Sequence, residues 1–154
     1  MNHPEKTESV QGSLSTNAAA TIMLATTQIK TEPATRPVRI LYAEDTDELR
    51  EVVRLTLIHE GYAVECADNG LTALQKIEQS PESFDVVITD YQMPEMSGLE
   101  LVTRLRTLPF IGKILVLTSG LSHEVHEAFM ELRVDNVLNK PLFPAQLRQA
   151  LDGL

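Results

Sequence analysis

The chain has 154 residues, of which 43% are hydrophobic and 23% charged, with a formal net charge of -9. Domains of about 150 residues bury roughly 70% of their unfolded surface, so a core needs no staples, and the single cysteine, Cys66, excludes an internal disulfide framework. No apolar run approaches the about 20 residues of a membrane span, and the acidic balance opposes nucleic-acid binding, which needs clustered Lys and Arg.

Residues 1–37 set Glu5, Glu8 and Glu32 against Lys6, Lys30 and Arg36, so residues 38–154 carry the entire net charge, with 19 acids and 10 bases. The first 37 residues are also rich in Thr, Ser, Ala, Asn and Pro and show no sustained periodicity. They read as a mostly disordered tail ending in the stiff stretch 33–37. Within it, residues 18–25 have the length of a secretory h-region but no preceding basic excess. A short partner-docking helix is the stronger reading there, and translation from Met23 is a third.

From residue 38 the pattern becomes regular. Residues 38–43 form a continuous apolar strand ending at Glu44 and Asp45. Thr46 is placed as a helix N-cap, with Asp47 and Glu48 in the first turn where the helix dipole favours acids. Leu49, Val52, Val53, Leu55 and Leu57 carry the helical period until Gly61 stops it. Residues 62–66 alternate as a short strand that includes Cys66, read as a buried residue with no activating neighbour. Asn69-Gly70 opens a second helix carrying Leu71, Leu74 and Ile77. Residues 84–89 form a third strand closed by Asp90, and Ser97 opens a helix with Leu99, Leu101, Val102 and Leu105 on its apolar side. Residues 114–117 form a fourth strand ending at Thr118. A fourth helix follows, marked by Val125, Phe129 and Leu132. A weaker strand over 134–138 ends at Asn139-Lys140-Pro141, and a last helix covers 142–151.

Five strand–helix repeats with short connections imply parallel pairing through right-handed crossovers, hence a doubly wound five-stranded parallel α/β sheet with five helices. The unbroken apolar strands at 38–43, 84–89 and 114–117 fit central positions covered on both faces. In such sheets the site lies at the carboxyl ends of the strands. Those ends supply Glu44 and Asp45, Asp90, Thr118 and Lys140. Clustered carboxylates need a compensating cation. Lys140 gives one charge, and an all-oxygen donor set suits Mg²⁺, or Mn²⁺, rather than zinc. Such a pocket attracts a phosphoryl group, with Asp90 as a carboxylate nucleophile, Lys140 and the metal neutralising the phosphoryl oxygens, and the Thr118 hydroxyl donating to one of them. Taken singly, the acids are ordinary helix caps, Thr118 another cap and Lys140 a surface charge; their coincidence on successive strand ends argues against that.

These residues carry a resemblance. Residues 38–154 resemble a response-regulator receiver domain of two-component signalling, with the flavodoxin-like fold of single-domain chemotaxis regulators. The resemblance rests on Ala43-Glu44-Asp45-Thr46, on Asp90-Tyr91-Gln92-Met93-Pro94-Glu95-Met96-Ser97-Gly98, on Leu117-Thr118-Ser119-Gly120 and on Asn139-Lys140-Pro141. The intervals of 45 residues from Asp45 to Asp90, 28 to Thr118 and 22 to Lys140 also fit. It implies Asp90 as phosphoacceptor, Asp45 and Asp90 as direct Mg²⁺ ligands, Glu44 acting through water, and the Gln92 backbone carbonyl as a further ligand. It also implies an inward swing of Thr118 on phosphorylation, a phosphate-binding Lys140 and a cis Lys140–Pro141 bond. The family usually has Tyr or Phe where this chain has Val137; a valine cannot couple Thr118 to the surface by ring burial, so output would run through the backbone after Thr118 and through the fourth helix. Tyr91 and Gln92 flank the site, where they would screen water.

The implied protein is a cytoplasmic signalling switch rather than an enzyme. It would take its phosphoryl group from a histidine kinase or a histidine phosphotransfer protein. It would bind neither nucleic acid nor membrane, and would be a monomer or a weak phosphorylation-dependent dimer. No effector domain is expected after residue 154. A hybrid-kinase receiver module or a phosphate sink is the alternative within the class. An aspartyl phosphohydrolase commonly needs a second acid at Gln92, and a flavodoxin-like cofactor carrier would be repelled by Glu44, Asp45, Asp47 and Glu48. His123 and His126 read as a solvated helix start, and Met93, Met96 and Met130 as fillers.

Overall fold

The computed structural model describes residues 36–154, so the readings of the tail, apart from Arg36 and Pro37, lie outside the described residues. The elements are β1 (Arg39–Ala43), α1 (Asp47–His59), β2 (Ala63–Ala67), α2 (Gly70–Gln79), β3 (Val86–Asp90), α3 (Gly98–Leu105), β4 (Lys113–Thr118), α4 (His123–Glu131), β5 (Asn136–Asn139) and α5 (Pro144–Asp152). The strands lie in the order β2-β1-β3-β4-β5, and every neighbouring pair is parallel. This is the expected doubly wound flavodoxin-like arrangement. The order reverses between β1 and β3, which opens a crevice at their carboxyl ends.

Burial follows position in the sheet. The three inner strands are almost wholly buried, whereas the edge strands β2 and β5 are half-exposed. The sheet separates two apolar clusters. Leu41, Ala43, Val87, Ile114 and Val116 face a cluster completed by Leu74, Ile77, Leu101, Leu105 and Phe129. Ile40, Tyr42, Ile88, Leu115 and Leu117 face the other, completed by Val53, Leu57, Leu147 and Leu151. Alternate strand residues point to opposite faces.

Local chemistry sets the element ends. Gly61 adopts φ 94°, and the turn closes with Gly61 N donating to Ile58 O at 3.0 Å and Tyr62 N to Leu57 O at 3.1 Å. Asn69 caps α2, its side chain accepting from Thr72 N at 2.7 Å. Ser97 and Glu100 form a reciprocal capping box at the start of α3.

Several boundaries differ from the sequence reading. Thr46 stands at the N-cap of α1 without a side-chain cap bond; its backbone N–H donates instead to Glu44 Oε1 at 3.2 Å. β5 starts at Asn136 rather than 134, after Arg133 turns through a left-handed φ of 54°. α5 starts at Pro144 rather than 142, with proline supplying the fixed φ of a first helical turn. A 3₁₀ turn at Pro81–Ser83 went unread. Cys66 is half-buried rather than buried, because β2 is an edge strand.

Candidate functional site

The strand ends bring Glu44, Asp45, Asp90, Thr118 and Lys140 to one rim. Glu44 and Asp45 follow β1, Asp90 ends β3, Thr118 ends β4 and Lys140 follows β5. One carboxylate oxygen from each of Glu44, Asp45 and Asp90 lies within 4.8 Å of the other two. Glu44 is 1% exposed and Asp90 7% exposed, while Asp45 is exposed. Two charges are thus held inside the rim and one faces water.

Lys140 answers the buried pair. Its Nζ lies 2.7 Å from Glu44 Oε2 and 3.1 Å from Asp90 Oδ1. Burial raises the Asp90 carboxyl above its ordinary range, against the opposing pull of Lys140. Burial lowers the Lys140 amine, but the Glu44 bond and the charges of Asp90 and Glu44 outweigh it and leave it above its ordinary range. The peptide bond from Lys140 to Pro141 is cis, as the resemblance implied.

Thr118 is buried beside the rim but turned to its own loop. Its Oγ1 donates to Gly120 O at 3.0 Å and accepts from Gly120 N at 3.1 Å. Gln92 is exposed, and with Asp45, Tyr91, Met93 and Ser97 it lines an open cavity of about 450 Å³. His123 and His126 are both exposed on α4, and His123 pairs with Glu127. They stand apart from the acidic cluster. Val137 is half-buried and packs against the cluster that contains Phe129.

Some supporting contacts are not among the expectations from sequence. Tyr42 is fully buried and its hydroxyl donates to Glu44 Oε2 at 3.3 Å. Burial first, and then the Glu44 charge, push the Tyr42 phenol far above its ordinary range, so it remains a donor. The one available signal was spacing, since residues two apart on a strand share a face. Arg50 donates to Glu44 O at 2.6 Å, and the buried Thr89 hydroxyl donates to Asp90 O at 2.9 Å. Gly98 N donates to Tyr91 O at 2.8 Å. The Tyr91 ring meets Phe129 of α4 edge-on, with centroids 5.9 Å apart.

The donor set fits a hard divalent cation. Three carboxylates converge, the nearest amine offsets only part of their charge, and no sulfur or imidazole belongs to the group. Among the described residues no helix is long and apolar enough to cross a membrane.

Comparison with known proteins agrees with this geometry. The chain is 38% identical over 118 residues to response regulator MprA of Mycobacterium sp. (strain KMS), covering 77% of this chain and 50% of that protein. It is 33% identical over 118 residues to chemotaxis protein CheY1 of Helicobacter pylori, covering 74% of this chain and 94% of that one. The chain thus spans half the length of the first relative and nearly all of the second. The solved structure of chemotaxis protein CheY4 of Vibrio cholerae superposes with a TM-score of 0.70 at 33% identity, covering 76% of this chain and 98% of that one. The family model for the response regulator receiver domain matches residues 40–152, and with the parallel sheet and the acidic rim it places the chain in the response-regulator receiver family of two-component systems.

Proposed function

We propose that Asp90 accepts a phosphoryl group from the phosphohistidine of a histidine kinase or a histidine phosphotransfer protein, and that the resulting aspartyl phosphate switches partner binding. The observation that carries this reading is the convergence of the Glu44, Asp45 and Asp90 carboxylates within 4.8 Å, with Lys140 Nζ 3.1 Å from Asp90 Oδ1. An Asp90 carboxylate oxygen attacks phosphorus, the phosphorus–nitrogen bond of the donor breaks, and an acyl phosphate remains on Asp90. Lys140 then pairs with the new phosphoryl charge, and the Thr118 hydroxyl exchanges its Gly120 partner for a phosphoryl oxygen. Mg²⁺, or Mn²⁺ in its place, would be held by Asp45, Asp90 and the Gln92 carbonyl, with Glu44 acting through water, and would supply charge neutralisation at the phosphoryl oxygens.

In this reading residues 38–154 are the receiver and residues 1–37 a tail. The protein works in the cytoplasm as a switch, monomeric or weakly dimeric after phosphorylation, and catalyses nothing beyond its own phosphorylation and dephosphorylation. Gln92, two residues past Asp90, lacks the acid that a phosphohydrolase would need there.

Intact-mass spectrometry tests the reading, with acetyl phosphate or a phosphorylated phosphotransfer protein as donor. The parent gains one phosphoryl group in Mg²⁺, and gains none in chelator or as Asp90→Asn. Absence of that gain with both donors overturns the proposal.

A further inference from the structure

Tyr42 is a buried polar group that the phosphoryl-transfer reading does not use. Its side chain lies in the cluster of Ile40, Ile88 and Leu117, away from water. A phenol that loses its water needs a partner. The partner is Glu44 Oε2, at 3.3 Å, the same oxygen that accepts from Lys140 Nζ at 2.7 Å. The other oxygen, Oε1, accepts from Thr46 N. Both oxygens of a 1%-exposed carboxylate are therefore held by the protein, and Oε2 has two donors.

We propose that Tyr42 is a positioning residue of the acidic site: its hydroxyl meets part of the hydrogen-bond demand of Glu44, which leaves the Lys140 ammonium divided between Glu44 and Asp90. Without that hydroxyl, the ammonium is drawn toward Glu44, the more buried carboxylate, and away from Asp90. Glu44 also loses a restraint that keeps it beside two like charges. Pinning a carboxylate against that repulsion prepares the cluster for a cation. The outer hydrogen bonds of metal ligands commonly change metal affinity by about tenfold or more. The metal consequence rests on the proposed function; the positioning of Glu44 and Lys140 does not.

The test compares the full chain with Tyr42→Phe, which keeps the ring and removes only the hydroxyl. In metal-free protein, carbon-detected NMR follows the Glu44 carboxylate and the Lys140 ε-carbon. Both signals move in Tyr42→Phe, and calorimetric titration with Mg²⁺ gives a dissociation constant raised about tenfold. In a Glu44→Gln background the same Tyr42→Phe change alters Mg²⁺ affinity less than twofold, because the coupled group is gone. A core role for the ring alone would shift melting temperature but not this difference. Unmoved metal-free signals, or an equal loss of affinity in both backgrounds, overturn the proposal. A parent chain that binds no Mg²⁺ overturns the metal site instead, and the metal-free signals still decide whether Tyr42 positions Glu44.

Discussion

Gly98 presses against the backbone of Asp90: a Cβ at position 98 would overlap the Asp90 carbonyl oxygen and stand 3.0 Å from Tyr91 Cα. The contact fixes where α3 begins relative to Asp90. Gly98→Ala must displace backbone rather than a flexible side chain. The expected cost is about 1–3 kcal/mol, the range for overpacking, read as a lower urea midpoint. Because the displaced atoms belong to Asp90 and Tyr91, the rate of phosphoryl gain from acetyl phosphate should fall as well. A variant of parental stability and rate would contradict the packing argument.

Lys140 is the cation that satisfies a buried carboxylate. Lys140→Met leaves Glu44 inside the rim without it, and breaking one side of a buried pair costs about 3 kcal/mol. The loss should be largest in chelator. Millimolar Mg²⁺ should recover part of it, since a cation bound only to the folded state raises stability by mass action. Urea unfolding of parent and variant, with and without Mg²⁺, measures both effects.

Glu100 closes the capping box of α3, and its carboxyl is held below the ordinary range by the Ser97 backbone N–H and then by the Ser97 hydroxyl. A depressed folded value means that the stabilisation is present above the ordinary glutamate pKa and disappears as pH falls through the lower folded value. Gln in the same position keeps the box geometry but does not titrate. The stability gap between the parent and Glu100→Gln should therefore narrow on acidification from about pH 5, and melting temperatures across that range would show it. A gap independent of pH would place the cap's contribution in geometry alone.

Thr118 holds the start of the loop into α4 through two bonds with Gly120. Thr118→Val keeps the shape and removes the hydroxyl. Both bonds are lost, and the one made by Gly120 N, worth about 1 kcal/mol net, governs exchange there, so amide exchange at Gly120 should speed several-fold in the unphosphorylated protein. If Asp90 accepts a phosphoryl group as proposed, that gain should persist in Thr118→Val, and exchange in α4 should respond to it less than in the parent. Hydrogen exchange of both proteins, before and after acetyl phosphate, reads each part.

The rim is legible because its residues end strands or directly follow them, and a parallel doubly wound sheet gathers those ends in one place. Glu44, Asp45, Asp90, Thr118 and Lys140 needed only their strands to be found. The supports were harder to read. Asp85 Oδ2 accepts from Arg39 N and Asp135 Oδ2 from Ile114 N, each at 2.8 Å. These acids, just before β3 and β5, tie the first residue of β1 and the second of β4 across 46 and 21 positions, a separation that local propensity does not encode. Tyr42 read only as a strand residue, because alternation tells which face a side chain takes but not what its far end touches. Thr118 was placed correctly at the end of its strand, while its rotamer depends on a loop carbonyl two residues on.

The sheet is also a partition. Ile40 and Tyr42 belong to one apolar cluster and Leu41 and Ala43 to the other, so neighbouring residues of one strand serve cores that do not mix. Substitutions beneath α1 and α5 should combine additively with substitutions beneath α2, α3 and α4, since separated groups without shared partners respond independently. The acidic rim is the exception. Glu44 continues the strand that carries Tyr42, while Thr118 continues the face that carries Val116. One half of the molecule can therefore drift in sequence without retuning the other, provided that the drift stops short of the residues that meet at the crest of the wall.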